Sequence, residues 1–365
     1  MHAPIAIVIG TRPEAIKLAP VAEALSKRGI VPRLIFTGQH PLSPADYGLC
    51  GYPAIVLDCA GGADPLFHVE RVRTVAGSAL AGCSLVIVQG DTSSALGGAL
   101  AAADRFLAVA HVEAGLRSHD RRQPWPEEDF RRRIDSLAAL LFAPTALSAA
   151  NLRRERIAGA IHITGNTGID AVLRLRQERE PHAVASPGLP RILVTCHRRE
   201  SWGAGLAGIA SALRSLADSG AASIDVVLHP NPTTARFVAD ALRDVASIRL
   251  SPPLPHVGTI DRLARADLVL SDSGGLQEEC AALRVPLLVL RERTERPEAI
   301  ACGAMRLVGT DPDRILHYVG VALRGRALVP RQWVNPYGDG RASERIAALI
   351  VDALARSGAI LQRTG

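Results

Sequence analysis

Residues 84–112, "SLVIVQGDTSSALGGALAAADRFLAVAHV", decide the fold class. Ser84-Leu-Val-Ile-Val88 is a short β-branched run with no polar alternation, as a strand buried on both faces requires. Gln89-Gly-Asp-Thr92 breaks it, Ser94 to Phe106 reads as an alanine-rich helix, and Leu107 to Val112 is a second apolar run. Strand, helix-length segment, strand is a βαβ unit, and βαβ units build parallel sheets.

The same alternation extends in both directions. Ile5-Ala-Ile-Val-Ile9 precedes a helix expected from Pro13 to about Lys27, and a helix near Pro126 to Leu140 follows the quoted stretch. Ile161-His-Ile-Thr164 leads into a helix expected over 168–180. Polar and proline-rich sequence then interrupts the pattern up to Pro190. It restarts with Arg191-Ile-Leu-Val-Thr195, Ile224-Asp-Val-Val-Leu228, Leu268-Val-Leu-Ser271 and Pro286-Leu-Leu-Val-Leu290. The expectation is an α/β protein of two Rossmann-like, doubly wound domains, 1–170 and 171–365. The last helix, 342–357, could pack on either.

Bulk composition agrees. The 365 residues are 48% hydrophobic and 21% charged, as in a folded globular chain, and the 4% aromatic content leaves Ala, Val, Leu and Ile to fill the core. The net charge of +6 is spread along the chain, and no basic run interleaved with aromatics points to nucleic acid. Lysine occurs only at Lys17 and Lys27, which singles out Lys17 beside a strand exit. Six scattered cysteines lack paired spacing, so neither zinc nor a disulfide framework is expected and a reducing compartment fits. Met-His-Ala-Pro runs at once into a strand, and no apolar stretch reaches the roughly 18 residues of a membrane span. A cytoplasmic protein away from membranes is the expectation.

Ligands of open parallel sheets bind beyond the carboxyl ends of the strands, so the strand exits are the candidate site. In the first half these are Gly10-Thr-Arg-Pro-Glu14, Gln89-Gly-Asp-Thr92 and Glu113-Ala-Gly115; in the second, Cys196-His-Arg-Arg-Glu200, His229-Pro-Asn-Pro232 and Asp272-Ser-Gly-Gly275. The first turn lacks G-x-G-x-x-G and the chain lacks a Walker loop, which disfavours nicotinamide and ATP enzymes. Arg12 and Lys17 are candidates to face the cleft mouth, although Arg12 could simply cap its turn. Ser273, Gly274 and Gly275 open a helix whose free amides suit a phosphate, and Glu279, one turn on, suits a ribose diol. The same residues also fit an ordinary N-cap followed by a surface carboxylate. His197 and His229 stand at corresponding strand exits, where phosphate or proton transfer competes with a structural role. Asp91, Glu113 and Glu127 come from three separate element ends, while Asp91 could cap the helix from Ser94. Glu127 and Arg131 are i,i+4, as are Glu128 and Arg132; the second pair is read as a surface pair.

The strings GTRPEAIKLAP, QGDTSSA, HVEAGLR, PWPEE, ITGNTGID, HRRES, HPNP, SDSGGLQEE, RTERPEA and NPYGDG span residues 10 to 340. Jointly they resemble the non-hydrolysing UDP-N-acetylglucosamine 2-epimerases. The resemblance implies a GT-B type fold with the active site in the interdomain cleft, a UDP-sugar substrate, no metal or other cofactor, and a homodimer. It implies that Ser273, Gly274 and Gly275 hold phosphate, Glu279 the ribose, and His197 a phosphate or a proton-transfer position. Arg12 and Lys17 would reach the diphosphate and sugar, and Asp91, Glu113 and Glu127 would be the catalytic acids with Arg131 beside them. It also implies an activator site, for a second substrate molecule, at Gln39 and His40. There this chain departs from the pattern, since Pro-Leu-Ser-Pro44 follows. Phe130 also stands where the family has Asn.

The implied reaction is reversible epimerisation of UDP-N-acetylglucosamine to UDP-N-acetylmannosamine through a 2-acetamidoglucal, in a surface polysaccharide pathway. The alternatives are a hydrolysing 2-epimerase, a 2-epimerase of another UDP-2-acetamido sugar, and, from a different class, a GT-B glycosyltransferase. A non-catalytic sugar-nucleotide sensor would keep the nucleotide site without needing the acids.

Overall fold

The computed structural model describes residues 4–121, 124–177, 188–196, 204–229, 231–325 and 334–363. The chain divides into two compact units, 1–171 together with 337–365, and 172–336.

In the first unit the chain runs β1 (Ile5–Ile9), α1 (Arg12–Ser26), β2 (Arg33–Phe36), β3 (Ala54–Val56), α2 (Pro65–Ala79), β4 (Leu85–Gln89), α3 (Ser93–Ala103) and β5 (Ala108–Val112). It continues through α4 (Glu127–Leu137), β6 (Leu140–Ala143), α5 (Ala146–Arg154), β7 (Ala160–Ile163) and α6 (Thr167–Gln177). The expected helix from Pro126 to Leu140 therefore stops at Leu137, because Leu140-Leu-Phe-Ala143 is a buried strand beside β5. Seven strands pair in the order β3-β2-β1-β4-β5-β6-β7, every pairing parallel. β1 and β4 are buried along their whole length, which is why their sequences are continuous apolar runs.

The second unit contains β8 (Arg191–Thr195), α7 (Ala204–Asp218), β9 (Ser223–Val227), α8 (Pro232–Leu242), β10 (Ile248–Ser251), α9 (His256–Arg265), β11 (Leu268–Ser271) and α10 (Gly274–Leu283). β12 (Leu287–Val289), α11 (Glu298–Ala301), β13 (Met305–Leu307) and α12 (Pro312–Gly325) complete it. Its strands pair in parallel in the order β10-β9-β8-β11-β12-β13. Both sheets thus repeat one doubly wound order, in which the third, second and first strands of each unit lie side by side and the fourth flanks the first. The direction of winding reverses between β1 and β4 in one unit and between β8 and β11 in the other, and at such a reversal the loops part to leave a crevice.

The final helix, α13 (Ala342–Arg363), packs on α1 and sends Ile346, Ala347 and Ile350 into the core beneath β1. The sequence left its partner open; its apolar stripe is matched by that of α1, so it belongs to the first unit. Among the described residues no helix is long and apolar enough to cross a membrane.

Candidate active site

Beyond β5 the chain turns through Glu113, whose φ of +70° is a left-handed conformation unusual outside glycine. Holding a non-glycine residue there costs about 1–3 kcal/mol, and such residues persist where their surroundings fix them. Here the surroundings are explicit. Glu113 is buried, and its Oε1 accepts from Lys17 Nζ at 2.7 Å and from Asn166 Nδ2 at 3.2 Å. Its Oε2 accepts from Gln89 Nε2, the last residue of β4. Lys17 comes from the second turn of α1, so residues far apart in sequence converge on one carboxylate because β1, β4 and β5 are neighbours in the sheet.

Asp91 lies two residues past Gln89 and pairs with the Arg131 guanidinium, which reaches it from α4. Glu127 opens α4 one turn before Arg131 and is half-buried. Glu128, read from the sequence as a surface partner of Arg132, is completely buried. Its carboxylate accepts from Ser118 N at 3.0 Å and Ser118 Oγ at 3.1 Å, and lies within 3.2–3.4 Å of Arg132 and Arg131. The i,i+4 pair is present, but it seals the loop after β5 rather than facing water.

Behind these acids lies a polar layer that the sequence reading did not assign. His111 Nε2 donates to Gly90 O at 2.8 Å, and His111 Nδ1 lies 2.7 Å from Asp135 Oδ1. Asp135 Oδ2 pairs with Arg117 at 2.7 Å, and all three side chains are fully enclosed. The turn carrying Asp91 is thereby fixed from below. In front of it Glu14 closes a capping box at the start of α1, accepting from Gly10 N at 2.7 Å, Thr11 N at 2.6 Å and Thr92 Oγ1 at 2.6 Å. Burial pushes its carboxyl above the usual range, against the pull of those hydrogen bonds.

Arg12 is the first residue of α1 and half-buried. Gln39 and His40 lie over the same turn: His40 N donates to Gly10 O at 2.9 Å, and Gln39 Oε1 accepts from Ser94 Oγ at 2.7 Å. Burial, then the nearby Arg12 charge, lowers the His40 imidazole below its ordinary value. Phe130 is buried in the core against α3 and β5 residues.

In the second unit Ser273 caps α10, and its N–H donates to Ser271 Oγ at 3.0 Å. Among the described residues, a side chain at Gly275 would meet no atom within 4 Å, whereas one at Gly274 would come within 2.9 Å of Arg296 Nη1. The helix start is therefore open on the Gly275 side and backed by protein on the other. The backing is a buried ion network: Arg296 pairs with Glu278 at 2.5 Å and with Glu295, which also pairs with Arg291 at 3.2 Å. Glu279 projects from the next turn, where His256 Nε2 donates to its Oε1 at 3.1 Å. His229 Nδ1 accepts from Asn231 N at 3.0 Å and so anchors the start of α8. His197 lies outside the described residues. Among the described residues, no group of three or more His, Cys, Asp or Glu side chains is arranged to hold a metal ion.

Acids and cations gather at the exits of β1, β4 and β5 in the first unit, and a glycine-opened helix start follows β11 in the second. Residues 74–351 match the family model described as UDP-N-acetylglucosamine 2-epimerase. The chain belongs to the UDP-N-acetylglucosamine 2-epimerase family.

It is 38% identical to the UDP-N-acetylglucosamine 2-epimerase of Escherichia coli K12, over 93% of this chain and 96% of that one. The crystal structure of UDP-GlcNAc 2-epimerase from Neisseria meningitidis bound to UDP-GlcNAc superimposes with a TM-score of 0.87 at 32% identity, covering 96% of this chain and all (100%) of that one. The Methanocaldococcus jannaschii UDP-GlcNAc 2-epimerase in complex with UDP-GlcNAc and UDP gives 0.84 at 33% identity, covering 95% and 99%. The fold is thus the GT-B arrangement of this epimerase family, with both sheets matched. The quoted strings single out Lys17, Asp91, Glu113 and the Ser273–Gly275 turn, and the structure brings Lys17 to Glu113 and Arg131 to Asp91. They did not single out Gln89, Asn166, Glu14, Glu278 or Arg296, although each lies in or next to a quoted string.

Proposed function

We propose that the chain catalyses reversible C2 epimerisation of UDP-N-acetylglucosamine to UDP-N-acetylmannosamine by elimination and re-addition of UDP. The observation that carries this reading is Glu113: a buried carboxylate held in a strained turn by Lys17, Gln89 and Asn166, next to a second acid, Asp91, held by Arg131. A nucleotide-binding protein without chemistry on the sugar has no use for that construction.

The C2 hydrogen of the sugar is not flanked by a carbonyl, so its removal must be coupled to loss of a good leaving group. In the forward step a carboxylate takes the C2 proton, the C–H electron pair becomes the C1=C2 bond, and the C1–O bond breaks with its electrons passing to UDP. The product is 2-acetamidoglucal. In the return step a diphosphate oxygen of UDP attacks C1 while an acid delivers a proton to the opposite face of C2. Two proton-transfer groups are required, and Asp91, Glu113 and Glu127 are the candidates, with His197 a further one. Cations at the leaving oxygen lower the barrier as charge develops there, the part assigned to Arg12 and Lys17. Amides at Ser273, Gly274 and Gly275 would hold the diphosphate, with His229 toward it, and Glu279 the ribose. The route needs neither metal nor nicotinamide. A homodimeric, cytosolic enzyme goes with this reading, on the strength of the family resemblance and of six cysteines that form no disulfide.

The test is proton NMR with UDP-N-acetylglucosamine in deuterated water. Deuterium at C2 of both UDP-sugars, in a mixture that stops short of completion, is the expected result. Release of free N-acetylmannosamine with stoichiometric UDP would move the chain to the hydrolysing class. Saturable binding with unchanged substrate would leave another UDP-2-acetamido sugar or a glycosyltransferase. Asp91→Asn should abolish deuterium uptake while UDP still binds.

A further inference from the structure

Asn166 connects the proposed catalytic acid to the far end of the chain. Its side chain donates to Glu113 Oε1 at 3.2 Å. The orientation of that amide is settled on its other side, where Oδ1 accepts from Gly168 N at 2.8 Å, so the NH2 must face Glu113. Its backbone N–H donates to Tyr337 O at 2.7 Å. Tyr337 is almost wholly buried, and its segment re-enters the first unit from the distant second stretch of sequence.

The contact is a close backbone crossing. Gly165 at φ +89° and Gly338 at φ +132° face one another, and a Cβ on Gly338 would fall 3.3 Å from the Gly165 Cα. Side chains on either strand of the crossing would hold the two loops apart. Further hydrogen bonds from Arg345 and to Asp170 fasten it. Arg345 donates to Thr164 O at 3.1 Å and to both Asp339 oxygens at 2.8 and 2.6 Å. Asp170 accepts from Ala342 N at 3.1 Å, and from Ser343 N and Oγ at 2.7 and 2.6 Å, which caps α13. The residue that touches Glu113 is thus seated by a clasp whose other half lies some 170 positions later in the chain.

We infer that Asn166 is a positioning residue for Glu113, and that the clasp of Tyr337, Gly338, Asp339 and Arg345 sets where Asn166 stands. Asn166 supplies a neutral donor to the same oxygen that Lys17 engages, which fixes the rotation of the carboxylate without adding charge. Asn166 is one of the directed donors that hold this carboxylate, with Lys17 and Gln89, so losing it lets the carboxylate rotate from the sugar carbon it must reach. A misplacement of about 1 Å in a proton-transfer geometry can cost on the order of a hundredfold in rate.

This inference rests on the epimerase reading, and the test separates the two. Asn166→Asp keeps the shape, removes the donor and sets a second carboxylate beside Glu113. Deuterium uptake at C2 should fall at least tenfold in kcat, with KM within about threefold of wild type, because the UDP half of the binding is untouched. The acid limb of the kcat–pH profile should move to higher pH, since a neighbouring like charge raises a carboxyl pKa. Arg345→Gln, at a more exposed position, loosens the clasp without touching Asn166 and should lower kcat several-fold with UDP affinity unchanged; it decides the matter if Asn166→Asp does not fold. Wild-type kcat and pH profile in both variants, or in Arg345→Gln alone where Asn166→Asp cannot be prepared folded, would overturn the inference. A wild-type protein that leaves C2 of UDP-N-acetylglucosamine unexchanged would overturn the epimerase reading itself and, with it, this role for Asn166.

Discussion

The two units share one strand order, yet the exits of β4 and β5 in the first are equipped differently from the exit of β11 in the second. In the first, the exits of β1, β4 and β5 carry side-chain charge, and the acids are met by cations: Glu113 by Lys17 and Asp91 by Arg131, with Asp135 of α4 behind them met by Arg117. In the second, the exit of β11 offers backbone, an open helix start at Gly275 with its buried ion network turned inward behind Gly274. A diphosphate can be held by any cluster of amides, since its charge is spread over several oxygens. A single C–H bond must be approached by one oxygen from one direction. On the function proposed above, the first unit would move a proton and the second would hold charge.

If that division is right, damage to each unit should fail differently. The largest effect is expected from Glu113→Gln, which should lower kcat by about a thousandfold, the range of a lost general acid–base group, with UDP affinity by calorimetry unchanged. A comparable fall in UDP affinity would break the comparison. Asp135→Asn should destabilise the fold by about 3 kcal/mol, because it strips a partner from a buried charge network behind the Asp91 turn. Denaturant unfolding reads this directly, and an unaltered midpoint would mean that the network is structurally idle. Gly275→Leu should weaken UDP binding about a hundredfold, roughly 2.7 kcal/mol, by filling the open space at the helix start, while stability stays near wild type. Retained UDP affinity would remove the amides of that turn from the nucleotide site.

The smallest effect concerns pH. The Arg345 guanidinium holds the Asp339 carboxyl down at about 2, below its ordinary value of 3.8. A depressed carboxyl contributes stability above the unfolded-state pKa and loses it as pH falls through the folded one. The pair is half exposed, so less than about 1 kcal/mol is at stake. Asp339→Asn should flatten the stability profile between about pH 4 and 2 and lower stability at pH 7 by that same amount, less than about 1 kcal/mol. A large loss at neutral pH would show the clasp to be a fold determinant rather than a local tether.

How far these features can be read in the sequence follows the same divide. Continuous apolar runs such as Ile5–Ile9 announce buried parallel strands, and glycines beside polar residues at their ends announce the turns. Asp91, Glu113 and Ser273–Gly275 are legible because each sits immediately after such a run. Glu128 was misjudged because an i,i+4 acid–arginine pair has the same spacing whether water or a loop lies over it. Gln89 and Asn166 were passed over because an amide carries no charge to draw notice, and its role depends on a partner 24 or 53 residues away. Arg296 and Glu278 escaped for a related reason: the turn that brings them together lies between two elements whose packing sequence periodicity does not report.

The split composition of the first unit has a consequence for how the protein is made. A ribosome delivers β1 to β7 early, then the whole of the second unit, and only afterwards the segment that closes over Gly165 and fills the core beneath β1 with Ile346, Ala347 and Ile350. At 5–20 residues per second the nascent first unit waits on the order of ten seconds with that apolar face uncovered. Exposed in that interval, the face is a natural target for chaperones that hold unfinished chains, and slowing synthesis between β7 and α13 should raise the yield of aggregate more than slowing it between β1 and β7.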